Sequence, residues 1–217
     1  MRHVGTKAVA QVAAQQPQPQ PRDSLAFLRG WSRNPVAVGG PFASSPWTAR
    51  RLARAVLAAV TPEGGPILEL GAGTGPVTKA LAAEGWPPER IVAVERDPEL
   101  CRYLNDHLPG LRVVQGDALD LAALRARIQL KSVSAVLSGL PMRAIAPDAA
   151  SRCYDAAFQL MPSNGTIIQY TYGFRPPVDP ARSPLALDAA YLGREWRNLP
   201  PMAIWRYRLA RGRRAAT

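Results

Sequence analysis

The sequence predicts a doubly wound α/β fold, and three observations support this prediction. From Gly65 onward, short apolar runs alternate with stretches of helical periodicity, a pattern typical of βαβ units and a parallel sheet. A glycine-rich turn follows the first apolar run, and acidic residues stand at or just after the ends of the next two. The chain has 217 residues, of which 47% are hydrophobic and 20% charged, so it is long enough for one full α/β domain with extensions.

The predicted strands and helices alternate along the chain. Parallel strands are expected at residues 67–70, 91–95, 111–115, 133–138 and 166–171. Helices are expected in the intervals, at residues 76–84, 99–108, 121–130 and 148–160. Two late segments, 194–199 and 203–209, are expected to form an antiparallel hairpin around Pro200-Pro201 and to complete a seven-stranded sheet.

The first sixty residues are expected to lie outside this domain, which spans residues 61–211. Residues 1–21 end in a Gln-Pro run and are expected to be a disordered tail, and residues 212–217 a second tail. Residues 22–60 are expected to form basic amphipathic helices, at 22–33 and 47–60, that serve as a lid or contact a membrane. The first places Leu25, Phe27, Leu28 and Trp31 within one arc, with arginines opposite. Packing of this helix on the domain, with its arginines in water, is the alternative.

The charge and the cysteines restrict the class of partner. With 27 Lys and Arg residues against 16 Asp and Glu residues, the net charge is +11, which indicates a polyanionic partner, either nucleic acid or an acidic membrane. Cys101 and Cys153 have no metal-ligand spacing, so no metal site is expected. No secretion signal and no apolar run long enough to span a membrane is found, so a cytoplasmic protein that meets membranes from their surface is expected. The sequence does not indicate an oligomeric state.

The glycine-rich turn predicts the cofactor. The first strand runs into Gly71-Ala-Gly-Thr-Gly75 and then into a helix that begins at Pro76. A dinucleotide fingerprint has the spacing Gly-x-Gly-x-x-Gly and holds a pyrophosphate, which the carboxylate of Glu69 just before this turn would repel. The cationic amino-acid end of S-adenosylmethionine (SAM) suits that carboxylate. The sequence therefore predicts SAM as the cofactor and S-adenosylhomocysteine as its product.

Further cofactor contacts are expected at the carboxyl ends of successive strands, where open α/β sheets bind ligands. Glu95 ends the second strand, where an acid accepts ribose hydroxyls, Asp117 follows the third near the adenine edge, and Ser138 ends the fourth beside the reacting methyl. The alternative is that these acids are ordinary strand-end residues. The predicted cofactor-binding residues are Glu69, Gly71, Gly73, Thr74, Gly75, Glu95, Arg96, Asp117, Ala118, Ser138 and Gly139.

The end of the fourth strand restricts the methyl acceptor. Enzymes that methylate the amino group of a base carry Asn/Asp-Pro-Pro-Tyr or Asn-Leu-Pro-Tyr there. This chain has Ser138-Gly-Leu-Pro-Met142 instead, without the amide and without an aromatic residue to stack on a base. This difference favours a flexible aliphatic amine. We predict Ser138 and Tyr172 as catalytic residues. The predicted substrate-binding residues are Leu140, Arg143, Tyr170 and Arg175.

The roles of these substrate-side residues follow from their chemistry. Arg143 and Arg175 are expected to meet an anionic phosphate group of the acceptor, and the tyrosines to hold a methylammonium group by cation–π attraction. The alternatives are that the two arginines are ordinary surface residues and that the tyrosines only pack in the core and at the edge of the sheet. The acceptor arrives as an ammonium group, which must lose a proton before it can attack. The candidates that take this proton are Tyr172, an upstream acid and bulk water.

The chain resembles the bacterial phospholipid N-methyltransferases of the class I SAM-dependent superfamily. The matching pieces are Phe27-Leu-Arg-Gly-Trp31, Asn34-Pro35, Ser45-Pro46, Leu68-Glu-Leu-Gly-Ala-Gly-Thr-Gly75, Ser138-Gly-Leu-Pro141 and Trp205-Arg-Tyr207. The resemblance implies a Rossmann-like class I methyltransferase sheet of seven strands with an N-terminal helical extension. It implies stepwise N-methylation of phosphatidylethanolamine to phosphatidylcholine, by an enzyme bound peripherally to the anionic inner face of the cytoplasmic membrane.

Two other functions remain open at this stage. An rRNA adenine N6-methyltransferase shares the core and is basic, but it normally adds a C-terminal RNA-binding domain, and only a few dozen residues follow the fifth strand here. For this reason nucleic acid is not the favoured partner. A SAM-fold protein that binds membrane without chemistry is the third possibility.

Overall fold

The computed structural model describes residues 45–60, 64–181 and 183–210. The predicted tails at 1–21 and 212–217 and the predicted helix at 22–33 lie outside these residues. No helix in the described ranges is long and apolar enough to cross a membrane. The elements are α1 Pro46–Leu57, β1 Ile67–Leu70, α2 Pro76–Ala83, β2 Ile91–Glu95, α3 Pro98–His107, β3 Arg112–Gln115, α4 Leu121–Ile128, β4 Ala135–Ser138, α5 Pro147–Phe158, β5 Ile167–Thr171, β6 Leu187–Glu195 and β7 Met202–Leu209.

The strands form one seven-stranded sheet in the order β3-β2-β1-β4-β5-β7-β6. β1 to β5 are parallel, whereas β7 is antiparallel to both β5 and β6. The order reverses between β1 and β4, which opens a crevice at the carboxyl ends of these strands. The predicted doubly wound sheet with an antiparallel final hairpin is confirmed.

Helices cover both faces of the sheet. α1, α2 and α3 pack on one face through residues such as Leu52, Leu81 and Leu104, and α4 and α5 pack on the other. In β1, Ile67 packs towards the first group of helices and Leu68 towards the second. Because the central strands are buried on both faces, their sequences are apolar runs rather than alternating patterns. The predicted division of domains at residues 60 and 61 stays a prediction, although α1 is part of this core.

Two of the labelled helices, α1 and α3, begin at a residue whose side chain caps them. The Ser45 side chain accepts a hydrogen bond from the backbone N–H of Thr48 (3.2 Å) at the start of α1, and Asp97 accepts from Glu99 (2.7 Å) at the start of α3. α4 ends where Gln129 adopts a left-handed conformation with φ 49°. In the part of the chain that the structure describes, each of α1 to α5 lies within three residues of its predicted bounds.

The first strand of the hairpin was predicted wrongly. It was expected at residues 194–199, but β6 is Leu187–Glu195, and residues 196–201 form the turn before β7. β6 is an edge strand that pairs only with β7, and its alanines and Gly193 have low intrinsic strand preference. Gly193 has φ 106° and lies at a register shift after Tyr191. Pairing with β7 therefore defines this strand, and a pattern of β-branched residues does not.

Candidate active site

The glycine-rich turn after β1 has left-handed backbone at each glycine, with φ 75° at Gly71, 60° at Gly73 and 71° at Gly75. Glycine adopts this region without the steric cost that other residues incur. The Gly71 N–H donates to the carbonyl of Val94 at 2.8 Å, which fixes the turn to β2. A Cβ at Gly73 would meet nothing within 4 Å, so the turn leaves open space at this residue.

The turns after β1 and β4 meet closely. The Gly139 N–H donates to the Leu70 carbonyl at 2.8 Å. A Cβ at Gly139 would lie 2.7 Å from the Gly71 carbonyl oxygen and 3.2 Å from Tyr170 Oη. The Leu140 side chain lies against Gly71, because a Cβ there would be 3.0 Å from Leu140 Cδ2. The structure thus brings together Gly71, Gly139, Leu140 and Tyr170, which were predicted from separate motifs.

The carboxylate of Glu95 joins the turns after β1 and β2. Its Oε2 accepts from the Gly73 N–H at 2.9 Å, and its Oε1 accepts from the N–H groups of Arg96 (2.7 Å) and Asp97 (2.9 Å). These bonds hold an acceptor beside the open space at Gly73, where a ribose diol would donate to it. The ribose contact itself stays a prediction.

Glu69 is a buried acid, with only 3% of its surface exposed. Burial raises its pKa to about 7, the hydrogen bond from Thr78 Oγ1 (2.5 Å) opposes this shift, and the charge of Glu95 adds to it. No ion pair to Glu69 is formed by the residues that the structure describes. A buried carboxylate without a cation fits a cationic ligand group. Thr78 was missed from the sequence, although its position one turn into α2, after Gly75, was a signal.

The residues predicted to lie near the adenine edge of the cofactor are in the turns that follow β2 and β3. Arg96 Nη1 is 3.7 Å from Asp117 Oδ2, and both side chains are about half exposed. Asp117 also accepts from the Leu119 N–H at 2.9 Å and caps the short 3-10 turn Ala118–Asp120. Ala118 and Thr74 are buried. The turns after β1, β2 and β3 are therefore joined side by side, and cofactor binding by the residues predicted there stays a prediction.

A buried amide that the sequence prediction missed holds the loop after β4. Gln169 Nε2 donates to the carbonyls of Leu140 (3.0 Å) and Tyr170 (2.8 Å), while its Oε1 accepts from Tyr154 Oη (3.2 Å). A lone glutamine inside the apolar run of β5 was the signal. Ser138 is fully buried, and its Oγ lies 3.4 Å from the Leu140 nitrogen, so it supports the same loop. Its catalytic role stays a prediction.

Tyr172 is half-buried and hydrogen-bonded to the side chain of Asn198, which the sequence prediction also missed. Burial raises the pKa of Tyr172 more than this bond lowers it, so the phenol is neutral at neutral pH. Asn198 Oδ1 accepts from the Ser45 N–H and from Thr48 Oγ1, both at 3.0 Å, and its Nδ2 donates to Pro200 (2.8 Å). Asn198 thus ties the β6–β7 turn to α1 and to the end of β5.

The predicted substrate arginines lie on the exposed side of the same region. A Cβ at Gly173 would be 3.0 Å from Arg143 Nη1, so this guanidinium lies against the segment after β5 that also carries Arg175. Both arginines are exposed. Arg194, which the sequence prediction missed, is buried and donates to the carbonyls of Gly173 (2.8 Å) and Pro201 (3.3 Å).

The crevice as a whole fits SAM. The turn is open at Gly73, Glu95 provides a carboxylate for hydroxyl groups, and Glu69 provides a buried carboxylate for a cationic group. SAM supplies an electrophilic methyl group on a sulfonium. The fold and the site together define the class of SAM-dependent methyltransferases.

Comparisons with known proteins agree with this class. A family model described as a methyltransferase domain matches residues 67–165. An ornithine lipid N-methyltransferase from Singulisphaera acidiphila is 30% identical over 153 residues, which are 69% of this chain and 78% of that protein. A ribosomal RNA small subunit methyltransferase A from Anaeromyxobacter dehalogenans is 33% identical over 162 residues, and the chain spans only 53% of its length.

Solved structures are similar in fold. A TehB-like SAM-dependent methyltransferase from Corynebacterium glutamicum has a TM-score of 0.54 at 17% identity, over 88% of this chain and 100% of that one. TrmN from Thermus thermophilus has a TM-score of 0.56 at 17% identity, over 77% of this chain and 49% of that one. The chain belongs to the class I SAM-dependent methyltransferases, and SAM is its methyl donor.

Proposed function

We propose that this enzyme methylates the amine of a membrane lipid, converting phosphatidylethanolamine stepwise through its mono- and dimethyl forms to phosphatidylcholine. The observation that carries the proposal is the similarity to the ornithine lipid N-methyltransferase, which extends over 78% of that protein. The reaction takes place at the anionic inner face of the cytoplasmic membrane. An ornithine lipid is the second candidate acceptor, because that relative's name specifies it.

The end of β4 supports an aliphatic amine over a base. Leu140 and Pro141 follow Ser138 and Gly139, and neither side chain is aromatic. Met142 occupies the place where base-methylating enzymes carry an aromatic residue, and its side chain is buried. The loop therefore offers no stacking surface for an extruded adenine.

Tyr170 in β5 and Tyr172 directly after it provide the polar contacts for the amine. Tyr170 Oη lies near Gly139, at the point where the donor and acceptor sides meet. Since Tyr172 is a neutral phenol, it does not act as a phenolate base at neutral pH. In this proposal it positions the amine nitrogen through its hydroxyl group, and the ammonium proton leaves to water at the open mouth. The lone pair then faces the sulfonium methyl for in-line attack.

A test with separate acceptors distinguishes the two lipid candidates. Full-length enzyme and methyl-labelled SAM are incubated with vesicles that contain phosphatidylethanolamine or an ornithine lipid, and the extracted lipids are analysed by mass spectrometry. We expect label in phosphatidylethanolamine as mono-, di- and trimethyl products. Label confined to the ornithine lipid would shift the proposal to the second acceptor, and label in neither lipid would contradict it.

A further inference from the structure

Four large apolar side chains are exposed around the mouth of the crevice. Leu199 is 83% exposed, Phe174 82%, Trp196 71% and Trp47 50%, and we call this set the apolar rim. Phe174 follows β5, Trp196 and Leu199 lie in the β6–β7 turn, and Trp47 lies in the first turn of α1.

The apolar rim lies on the same edge of the sheet as the active site. β7 runs antiparallel to β5, with Ala203 paired to Thr171 at the carboxyl end of β5. The β6–β7 turn, which directly precedes β7, therefore lies at the edge where β1 to β5 end. Asn198 joins this turn to α1, so Trp47 lies at the same edge.

Two arginines contact the aromatic rings of the apolar rim. The Arg194 Cζ lies 4.2 Å from the ring centroid of Phe174 and 5.9 Å from that of Trp196. Arg194 is itself buried and bound to backbone carbonyls, so it is a fixed platform for both rings. Arg197 Cζ lies 6.0 Å from the Trp47 ring centroid and links this residue to the turn. These arginine contacts connect Phe174, Trp196 and Trp47 to the β6–β7 turn, which also carries Leu199.

The charge around the apolar rim is positive. Arg143, Arg175 and Arg197 are exposed on this edge. Glu195, the acid next to the turn, is held by Arg51 (3.9 Å) and by the Arg197 N–H (3.0 Å). An apolar rim surrounded by guanidinium groups matches the interface of an anionic bilayer, where aromatic rings lie at the headgroup level and arginines meet phosphates. The aliphatic tip of Leu199 has no corresponding use in stacking on RNA bases.

We infer that the apolar rim is the surface by which the catalytic domain docks on an anionic membrane. Phe174, Trp196 and Leu199 enter the boundary between headgroups and acyl chains, and this arrangement presents the mouth of the crevice to the lipid amine. The inference rests on the proposed function for the identity of the lipid acceptor. It assigns membrane contact to the domain itself, whereas the contact expected of residues 22–33 stays a prediction.

The test measures partition of the full chain onto vesicles made of equal parts of phosphatidylcholine and phosphatidylglycerol. A triple variant, Phe174→Ser with Trp196→Ser and Leu199→Ser, is expected to bind about tenfold more weakly or worse, because it loses most of the inserted apolar surface. Tyr191→Ser is the matched control, since Tyr191 is also exposed but lies within β6, away from the turn. Leu199→Asp, a single change at the most exposed position, is measured alongside in case the triple variant folds poorly. Wild-type partition by both rim variants would overturn the inference.

Vesicles with brominated acyl chains quench the fluorescence of tryptophans that enter the bilayer, so they show whether lipid contacts the apolar rim. We expect these vesicles to quench tryptophan fluorescence, with a clear loss of quenching in Trp196→Phe. Equal quenching in the variant would mean that tryptophans other than Trp196 enter the bilayer, and it would overturn the inference. A rim variant that loses affinity for rRNA but keeps vesicle binding would do the same.

A soluble substrate separates this inference from the proposed function. Short-chain phosphatidylethanolamine below its micelle concentration requires no bilayer docking, so the rim variants are expected to methylate it as the wild type does. If the wild type methylates neither this lipid nor a short-chain ornithine lipid, the proposed function fails. If the rim variants keep vesicle binding, the inference fails, whatever the methylation result.

Discussion

The carboxyl edge of the sheet has two halves that are held together in different ways. The donor half consists of the turns after β1, β2 and β3, and its central contact is between the Gly73 N–H and Glu95, which are 22 residues apart. The acceptor half consists of the loops after β4, β5 and β6. It is held by buried side chains that reach across the fold, such as Asn198, which binds Thr48 at a separation of 150 residues.

This difference shows how one fold separates cofactor binding from acceptor choice. The donor half has to fit one ligand, and glycine backbone with a few carboxylates is sufficient for that. The acceptor half has to place a lipid amine, and three buried polar side chains, Gln169, Arg194 and Asn198, fix its loops. Substitutions in one half should therefore affect one substrate and leave the other nearly unchanged.

The largest expected effect is in the donor half. Glu95→Ala removes the acceptor that joins Gly73 to the turn after β2 and that faces the ribose hydroxyls. We expect the Kd for SAM, measured by calorimetry, to rise by about 100-fold or more, since two hydrogen bonds to a charged group are lost. Asp106→Ala, at an exposed position of α3, is the control. An unchanged Kd in Glu95→Ala would mean that the ribose contact has been assigned to the wrong residue.

In the acceptor half we expect a smaller effect, which lowers the rate of amine methylation and leaves SAM binding nearly unchanged. Gln169→Leu removes the donor to Leu140 and Tyr170 and frees the loop after β4. We expect kcat for the amine to fall by about tenfold, as for a misplaced positioning group, while the Kd for SAM changes less than twofold. Gln159→Leu, at an exposed position after α5, serves as the control. Equal losses in SAM affinity and in kcat would show that the two halves are not separable.

The smallest expected effect is a pH dependence of SAM binding. The folded pKa of Glu69 is raised to about 7, so the acid is largely neutral below that pH and charged above it. A cationic ligand favours the charged form, and SAM affinity should rise by about fivefold between about pH 6 and about pH 8. Glu69→Gln should flatten this part of the profile, and the difference between the two profiles isolates Glu69. Identical profiles would contradict the contact.

The free energy of unfolding of the SAM-free protein should change with pH in the opposite direction and fall as the pH rises. Because the folded pKa of Glu69 lies above the ordinary value of 4.5, the neutral form favours folding at low pH. That advantage is lost as the pH rises from the ordinary pKa through about 7. Thermal unfolding of the wild type and of Glu69→Gln across this range checks the sign.

The donor half and the central sheet could be predicted from the sequence because their signals are local. Gly71 to Gly75 follow β1 directly, and Glu95 ends the next strand, so neighbouring residues define both. β6 could not be predicted, since its alanines and Gly193 become a strand only by pairing with β7. The roles of Asn198 and Arg194 could not be predicted for the same reason. Their partners lie on α1 and after β5, and no local pattern reveals such contacts.

The most direct test of the account is a competition between acceptors. The full-length enzyme is given methyl-labelled SAM together with phosphatidylethanolamine vesicles and unmodified rRNA in one reaction, and the label is measured in the separated lipid and RNA fractions. The account predicts that the label enters the lipid amine and is absent from the RNA. Label in the RNA fraction, with none in the lipid, would contradict it.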